Sequence, residues 1–163
     1  MSKKKVKENA DNLLISIAIR DIKTISFFEV DPAEYAEELS KGVPLLVSMQ
    51  AKFDISENKE IFSINFNVKF SHEKKMDLFG IITKTIFEIK NSDNVIEKIG
   101  NTKYRIKDDI IRTLFSIAIG NTRGMLVSVV KNDAYKNQYL PILDLNILID
   151  SFKAANKNFI VEK

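Results

Sequence analysis

The sequence contains no cysteine, which excludes disulfide scaffolds, thiolate metal sites and cysteine nucleophiles. Its one histidine, His72, removes every mechanism that needs two imidazoles. Tryptophan is absent, and 5 glycines and 3 prolines in 163 residues are too few for a low-complexity or disordered chain. No glycine-rich phosphate loop, GxSxG elbow or paired-histidine motif occurs, and no spacing of carboxylates singles out an acid–base pair. The expectation is a non-enzyme with no metal and no cofactor. Apolar runs of membrane-spanning length are also missing: the most apolar region, 106–130, is broken by Asp108, Asp109, Arg112 and Arg123. The run LLISIAI at 13–19 is short, lies away from the preceding lysines and lacks a small-residue cleavage site, so it does not read as a signal peptide. A cytoplasmic protein without membrane insertion is expected.

Charge of one sign is scarce in the body of the chain. The net charge of +3 comes from the first ten residues, where Lys3, Lys4, Lys5 and Lys7 face only Glu8. Of the 25 basic and 22 acidic residues, 21 of each remain beyond that tail. Arginine, the residue whose fork suits phosphates and base edges, occurs only at 20, 105, 112 and 123. A basic flexible tail over 1–12, one domain over 13–163 and no nucleic-acid partner are therefore expected.

What is present is apolar residues in ordered patterns. Residues 13–28 read as one or two strand-like stretches rich in Ile and Phe. Asp31-Pro32-Ala33-Glu34 then supplies an N-cap, a proline at the first helical position and a carboxylate at the third, predicting a short helix that stops at Gly42. Three alternating strands follow. The first places Val47, Met49, Ala51, Phe53 and Ile55 on one face, and the second Ile64, Phe66, Val68 and Phe70. The third, over 78–90, sets Ile81, Thr83, Thr85, Phe87 and Ile89 opposite Ile82, Lys84, Ile86 and Glu88. Polar turns between them predict an antiparallel meander with one apolar face to cover. The cover is a helical region over 106–130, apolar nearly all round, and a terminal helix capped by Asp144 with a Leu145, Leu148, Ile149 and Phe152 stripe. The fold class is thus α+β: a four-stranded antiparallel sheet under a long helix and a C-terminal helix. A helix with more apolar surface than its own sheet can take suggests a homo-oligomer, dimer or tetramer, with Phe115, Ile119, Gly120 and Gly124 as candidate interface residues. Gly120 and Gly124 fit either close helix approach or a break in the helix.

This order of elements and its local motifs resemble the SecB-like chaperones, the bacterial protein-export chaperone and its relatives. The likeness runs from Ile25-Ser26-Phe27 through the meander at 46–90 to FSIAIGNTRGML with Arg123 and LPILDLNILI at 140–149, about residues 14–153. It implies dimers paired through the long helix, a tetramer as a dimer of dimers, and surface grooves that hold unfolded polypeptides without ATP, metal or covalent chemistry. Export members dock the translocation ATPase SecA through carboxylates on the sheet. Here the body is neutral, Thr24 precedes the Ile-Ser-Phe motif where an acid is common, and Gly80 stands about where a docking glutamate would fall. The resemblance therefore carries client binding further than SecA docking. Some relatives instead protect one aggregation-prone antitoxin, so a general holdase and a dedicated single-client module both remain open.

Phe66, Phe70 and Phe87 lie on the alternating apolar faces and are assigned to the core. Phe27, Phe28 and Phe79 break the alternation near strand ends and are, with Ile82 and Ile86, the candidate client-binding residues. Arg123 in its apolar surroundings suggests a structural ion pair, and His72 in the turn SHEKK a solvated side chain. The acidic run with Glu29, Glu34, Glu37 and Glu38 is the candidate docking surface for a basic partner, against the plainer reading of a solvated face.

Overall fold

A computed structural model describes residues 15–73, 76–100, 103–155 and 159–162. The tail expected over 1–12 lies outside them. Four strands, β1 (Ser16–Glu29), β2 (Leu46–Ile55), β3 (Ile61–Ser71) and β4 (Asp77–Lys90), form one antiparallel sheet in the order β1-β4-β3-β2. The meander holds for β2, β3 and β4. The first strand pairs with β4 and not with β2, so β1 and β2 are the two edges of the sheet. Register shifts at Arg20 and Ile25 interrupt the β1–β4 pairing, as bulges do at sheet edges.

Because the first two strands lie on opposite edges, the link between them must cross one end of the sheet. It does so through a 3-10 turn (Pro32–Glu34), with the Asp31 carboxylate accepting from Ala33 N–H at 3.1 Å, and helix α1 (Ala36–Ser40). Gly42 ends α1 at φ +74, where a Cβ would be strained. This crossing packs against His72, just beyond the end of β3, and corrects the solvated reading of that residue. The imidazole is 5% exposed, its Nε2 is 2.5 Å from the Glu38 carboxylate, and its ring lies 4.9 Å from that of Tyr35.

Helix α2 (Asp108–Val129) packs on β3 and β4, and α3 (Leu145–Ala155) packs beside it, with the Asp144 carboxylate accepting from Asn146 N–H at 2.8 Å. Phe115 is at the centre of the core, its ring 5.7 Å from Phe66 and 5.3 Å from Phe152. Phe66, Phe70 and Phe87 are buried as expected. A fully buried polar tie joins helix and sheet: Thr83 Oγ1 and Thr122 Oγ1 are 2.7 Å apart, and Thr122 also donates to the Ala118 carbonyl. The helix begins at Asp108, not 106, and runs unbroken through Gly120 and Gly124.

Between β4 and that helix the chain begins a second sheet, which the sequence patterning did not predict. Strands β5 (Ile96–Ile99) and β6 (Lys103–Lys107) pair antiparallel, and β7 (Phe159–Glu162) joins β6 in parallel. Among the described residues no helix is long and apolar enough to cross a membrane.

Candidate functional site

Edge strand β2 and helix α3 enclose an open cleft of about 300 Å³, lined by Met49, Gln50 and Ala51 on the strand and by Leu148, Ser151 and Phe152 on the helix. Its floor is apolar because both elements turn their core-facing rows inward: Met49 and Ala51 share the face of Phe53, and Leu148 follows the helical stripe to Phe152. Along one rim, β2 has no strand beyond it among the described residues, so one row of its main-chain donors and acceptors faces away from the sheet. Nearby chain exposes large apolar side chains: Ile147 on α3 is 68% exposed, and Ile142 in the preceding loop 95%. That loop is not loose. Arg123 donates from Nε to the Leu140 carbonyl at 3.3 Å and from a terminal nitrogen to the Pro141 carbonyl at 2.6 Å. Arg123 is therefore a backbone anchor, and among the described residues it has no acid to make the expected ion pair.

The predicted oligomer residues divide between the two sides of α2. Phe115 and Ile119 point into the chain's own core, a correction to their placement at an interface: the sheet and α3 already cover them. Gly120 and Gly124 face outward with nothing within 4 Å of a built Cβ. Beside them, β1 projects beyond α2 and exposes Ile19 and Ile22, on the face whose β4 partners are Phe87 and Thr85. Val127 on α2 is 61% exposed. An apolar strip thus runs along the β1 edge and the outer side of α2, left exposed among the described residues.

The five predicted client-binding residues do not share a surface. Phe79 is fully buried, stacked on Phe70 at 4.3 Å and packed against Tyr135, because the segment after α2 closes over that end of the sheet. Phe27 is half-buried on the same inner face, opposite Ile81. Phe28, Ile82 and Ile86 lie together on the outer face, the side away from α2. There the Phe28 ring lies over Gly80, leaving no room for a Cβ, which would stand 2.7 Å from its Cε1. Apart from Leu46 and Ile61 near its margins, the rest of the outer face is mainly polar. Its four carboxylates are each bonded to a base: Asp21 to Lys23 at 2.7 Å, Asp54 to Lys52 at 3.7 Å, Asp77 to Lys69 at 2.6 Å and Glu88 to Arg20 at 2.6 Å. Hydrogen bonds from Lys69 and Ser71 hold the Asp77 carboxyl below the usual carboxylate range.

The acidic docking set is also dispersed. The Glu29 carboxylate accepts the backbone N–H groups of Lys131 and Asn132 at 3.1 and 2.9 Å, binding the end of β1 to the segment after α2. Glu37 pairs with Lys41, and Glu38 with His72. Glu34 lies in the 3-10 turn. The carboxylates of Glu29, Glu37 and Glu38 are thus each engaged within the chain. Sequence reasoning put Met49 and Leu148 on apolar rows but missed the cleft, because such a row looks the same whether its strand or helix is central or at an edge.

No protein-family model matches the sequence, and no curated protein matches it. Among solved structures, the chain aligns with a protein of unknown function from Streptococcus agalactiae at 10% identity and a TM-score of 0.41, covering 80% of this chain and 99% of that one. It also aligns with the Mycobacterium tuberculosis Rv1957 SecB-like chaperone, solved in complex with a ChAD peptide from the Rv1956 HigA1 antitoxin. That alignment has 10% identity and a TM-score of 0.37, and it covers 78% of this chain and 91% of that one.

Proposed function

We propose that the protein is an ATP-independent holdase of the SecB-like kind, acting in the cytoplasm without catalysing a chemical step. The observation that carries this reading is the cleft between β2 and α3, where an apolar floor meets a free strand edge. An extended, non-native chain has what that pairing needs. Its apolar side chains bury surface on Met49, Ala51 and Leu148, worth about 25 cal/mol per Å². Its backbone satisfies the row of β2 groups that no strand covers, a grip independent of sequence. A folded protein offers neither. Binding of the unfolded state alone delays folding and aggregation by mass action.

A second copy covers the strip along β1 and α2 in this reading, making the active species a homo-oligomer. Delivery to SecA is not part of it, since the outer-face carboxylates are all paired with bases.

The test is fluorescence anisotropy of a labelled, permanently unfolded polypeptide titrated with the protein, with the folded form of that polypeptide as control. Saturable binding of the unfolded form alone is expected. Met49→Lys, whose charge reaches water on its own stem, should weaken it about tenfold or more. Equal binding of folded and unfolded forms, or none of either, discards the holdase. Tight binding of a single peptide among a panel of unrelated chains would instead identify a dedicated module.

A further inference from the structure

The outer face of the sheet carries a cation that the fold leaves without a counterion. Lys84 lies on central strand β4, half-buried, and has no hydrogen-bond or ion-pair partner among the described residues. Its direct neighbour across the pairing is Lys23 on β1 and, on the other side, Asn65 on β3, which is itself opposite Lys52 on β2. Three lysines therefore stand in one row across four strands. Like charges directly opposite in a sheet are destabilising, and a glutamate at 84 would remove the conflict. The Asn65 amide nitrogen donates toward Asp54 at 3.5 Å, and an amide brings no negative charge to Lys84. Above and below Lys84 on the same strand and face stand Ile82 and Ile86, which no helix covers.

A local conflict that no internal contact repays marks a place where something external enters the balance. We propose that this face docks an acidic, apolar polypeptide segment of a partner protein, with carboxylates meeting Lys84 and Lys23 and apolar side chains lying on Ile82 and Ile86. The charge complementarity comes from Lys84, which stands mid-face without an acid, whereas Arg20, Lys23, Lys52 and Lys69 each have one. The surface is on the opposite side of the sheet from α2 and is separate from the β2–α3 cleft, so the proposal stands independently of the holdase reading.

The probe is a fluorescein-labelled synthetic peptide of alternating glutamate and leucine, titrated with the full chain at low and moderate salt. Its counterparts are the same peptide with lysine for glutamate, and single-stranded oligo-dT. Saturable, salt-sensitive binding of the acidic peptide is expected, weakened about tenfold or more by Lys84→Glu. The variant should melt no lower than the wild type, because its glutamate faces Lys23, so lost binding is not lost folding. Met49→Lys should bind the acidic peptide as the wild type does, and Lys84→Glu should bind unfolded polypeptide as the wild type does. The proposal is overturned if the wild type fails to bind the acidic peptide, or if Lys84→Glu binds it equally. Equal binding of the lysine peptide or of oligo-dT, or a matching loss in Met49→Lys, overturns it as well.

Discussion

Tyr135 shows how one side chain can hold two distant parts of the chain. Its ring is wholly buried against Phe79, and its hydroxyl donates to the Val30 carbonyl at 3.0 Å, just beyond the end of β1. Burial, and then the nearby carboxylates of Glu29 and Asp31, push the phenol up to about 12 from an ordinary value of 10.0. A raised pKa contributes stability that is complete below the unfolded value and is lost as pH rises toward the folded one. Stability should therefore fall by about 2 kcal/mol between pH 10 and 12 through this residue alone. Urea unfolding across that range compares the wild type with Tyr135→Phe. The variant should start roughly 1 kcal/mol less stable at neutral pH, having lost a hydrogen bond, and should show a shallower alkaline loss. Parallel profiles would refute the assignment. The burial of Tyr135 was not legible beforehand, since no periodic pattern marks residues 130–140. The roles of Arg123 and His72 were hidden for a related reason, because their partners are backbone carbonyls and a carboxylate far away in sequence.

At the scale of elements, β1 and β4 meet through a close approach that only glycine permits. A Cβ at Gly80 would stand 2.7 Å from Phe28 Cε1 and 2.7 Å from the Val68 carbonyl oxygen. The phenyl ring can turn aside, but the carbonyl belongs to the β3 ladder and cannot. Gly80→Ala should therefore cost about 1–3 kcal/mol, read as a lower melting temperature. Adding Phe28→Ala should restore only part of the loss, whereas full restoration would place the strain on the ring alone. The strands themselves were legible: alternation put the inward rows Val47–Ile55, Ile64–Phe70 and Ile81–Ile89 on the correct face, though not Phe79, because a period of two follows directly from the pleat. Strand order was not, since that period says which residues share a face and nothing about which strand lies alongside. The short pair β5–β6 had a weak signal of its own, with Ile96, Ile99, Tyr104 and Ile106 around Gly100, but its polar turn residues read equally well as loop.

For the whole molecule, the open question is what covers the strip along β1 and α2. Gly120 and Gly124 add no bulk there, and the helix does not break at them, which leaves room for the second copy of the proposed function. A larger side chain at 124 meets only open space within one chain and gains helix propensity of about 1 kcal/mol. Gly124→Arg should thus fold at least as well as the wild type while blocking a second copy. Sedimentation velocity over a range of concentrations should find the wild type as a dimer or larger and the variant as a monomer. A wild type that stays monomeric, or a variant that sediments with it, would remove the oligomer from the proposed function.

What the sequence determined by itself was local and repetitive: the absence of thiol and paired-imidazole chemistry, the strands and their inward faces, the two long helices and the Asp144 cap. Each of these depends on a residue and its neighbours within a few positions, where backbone geometry alone sets the pattern. Only the tertiary structure decided which strands became edges, and so which apolar rows remained open. It put Met49 in a cleft, Phe79 in the core, Glu29 on a backbone cap, and Lys84 opposite Lys23 with no acid between them. These outcomes depend on pairs of groups brought together from distant positions, and the energy of such pairs is defined only once the chain has closed on itself.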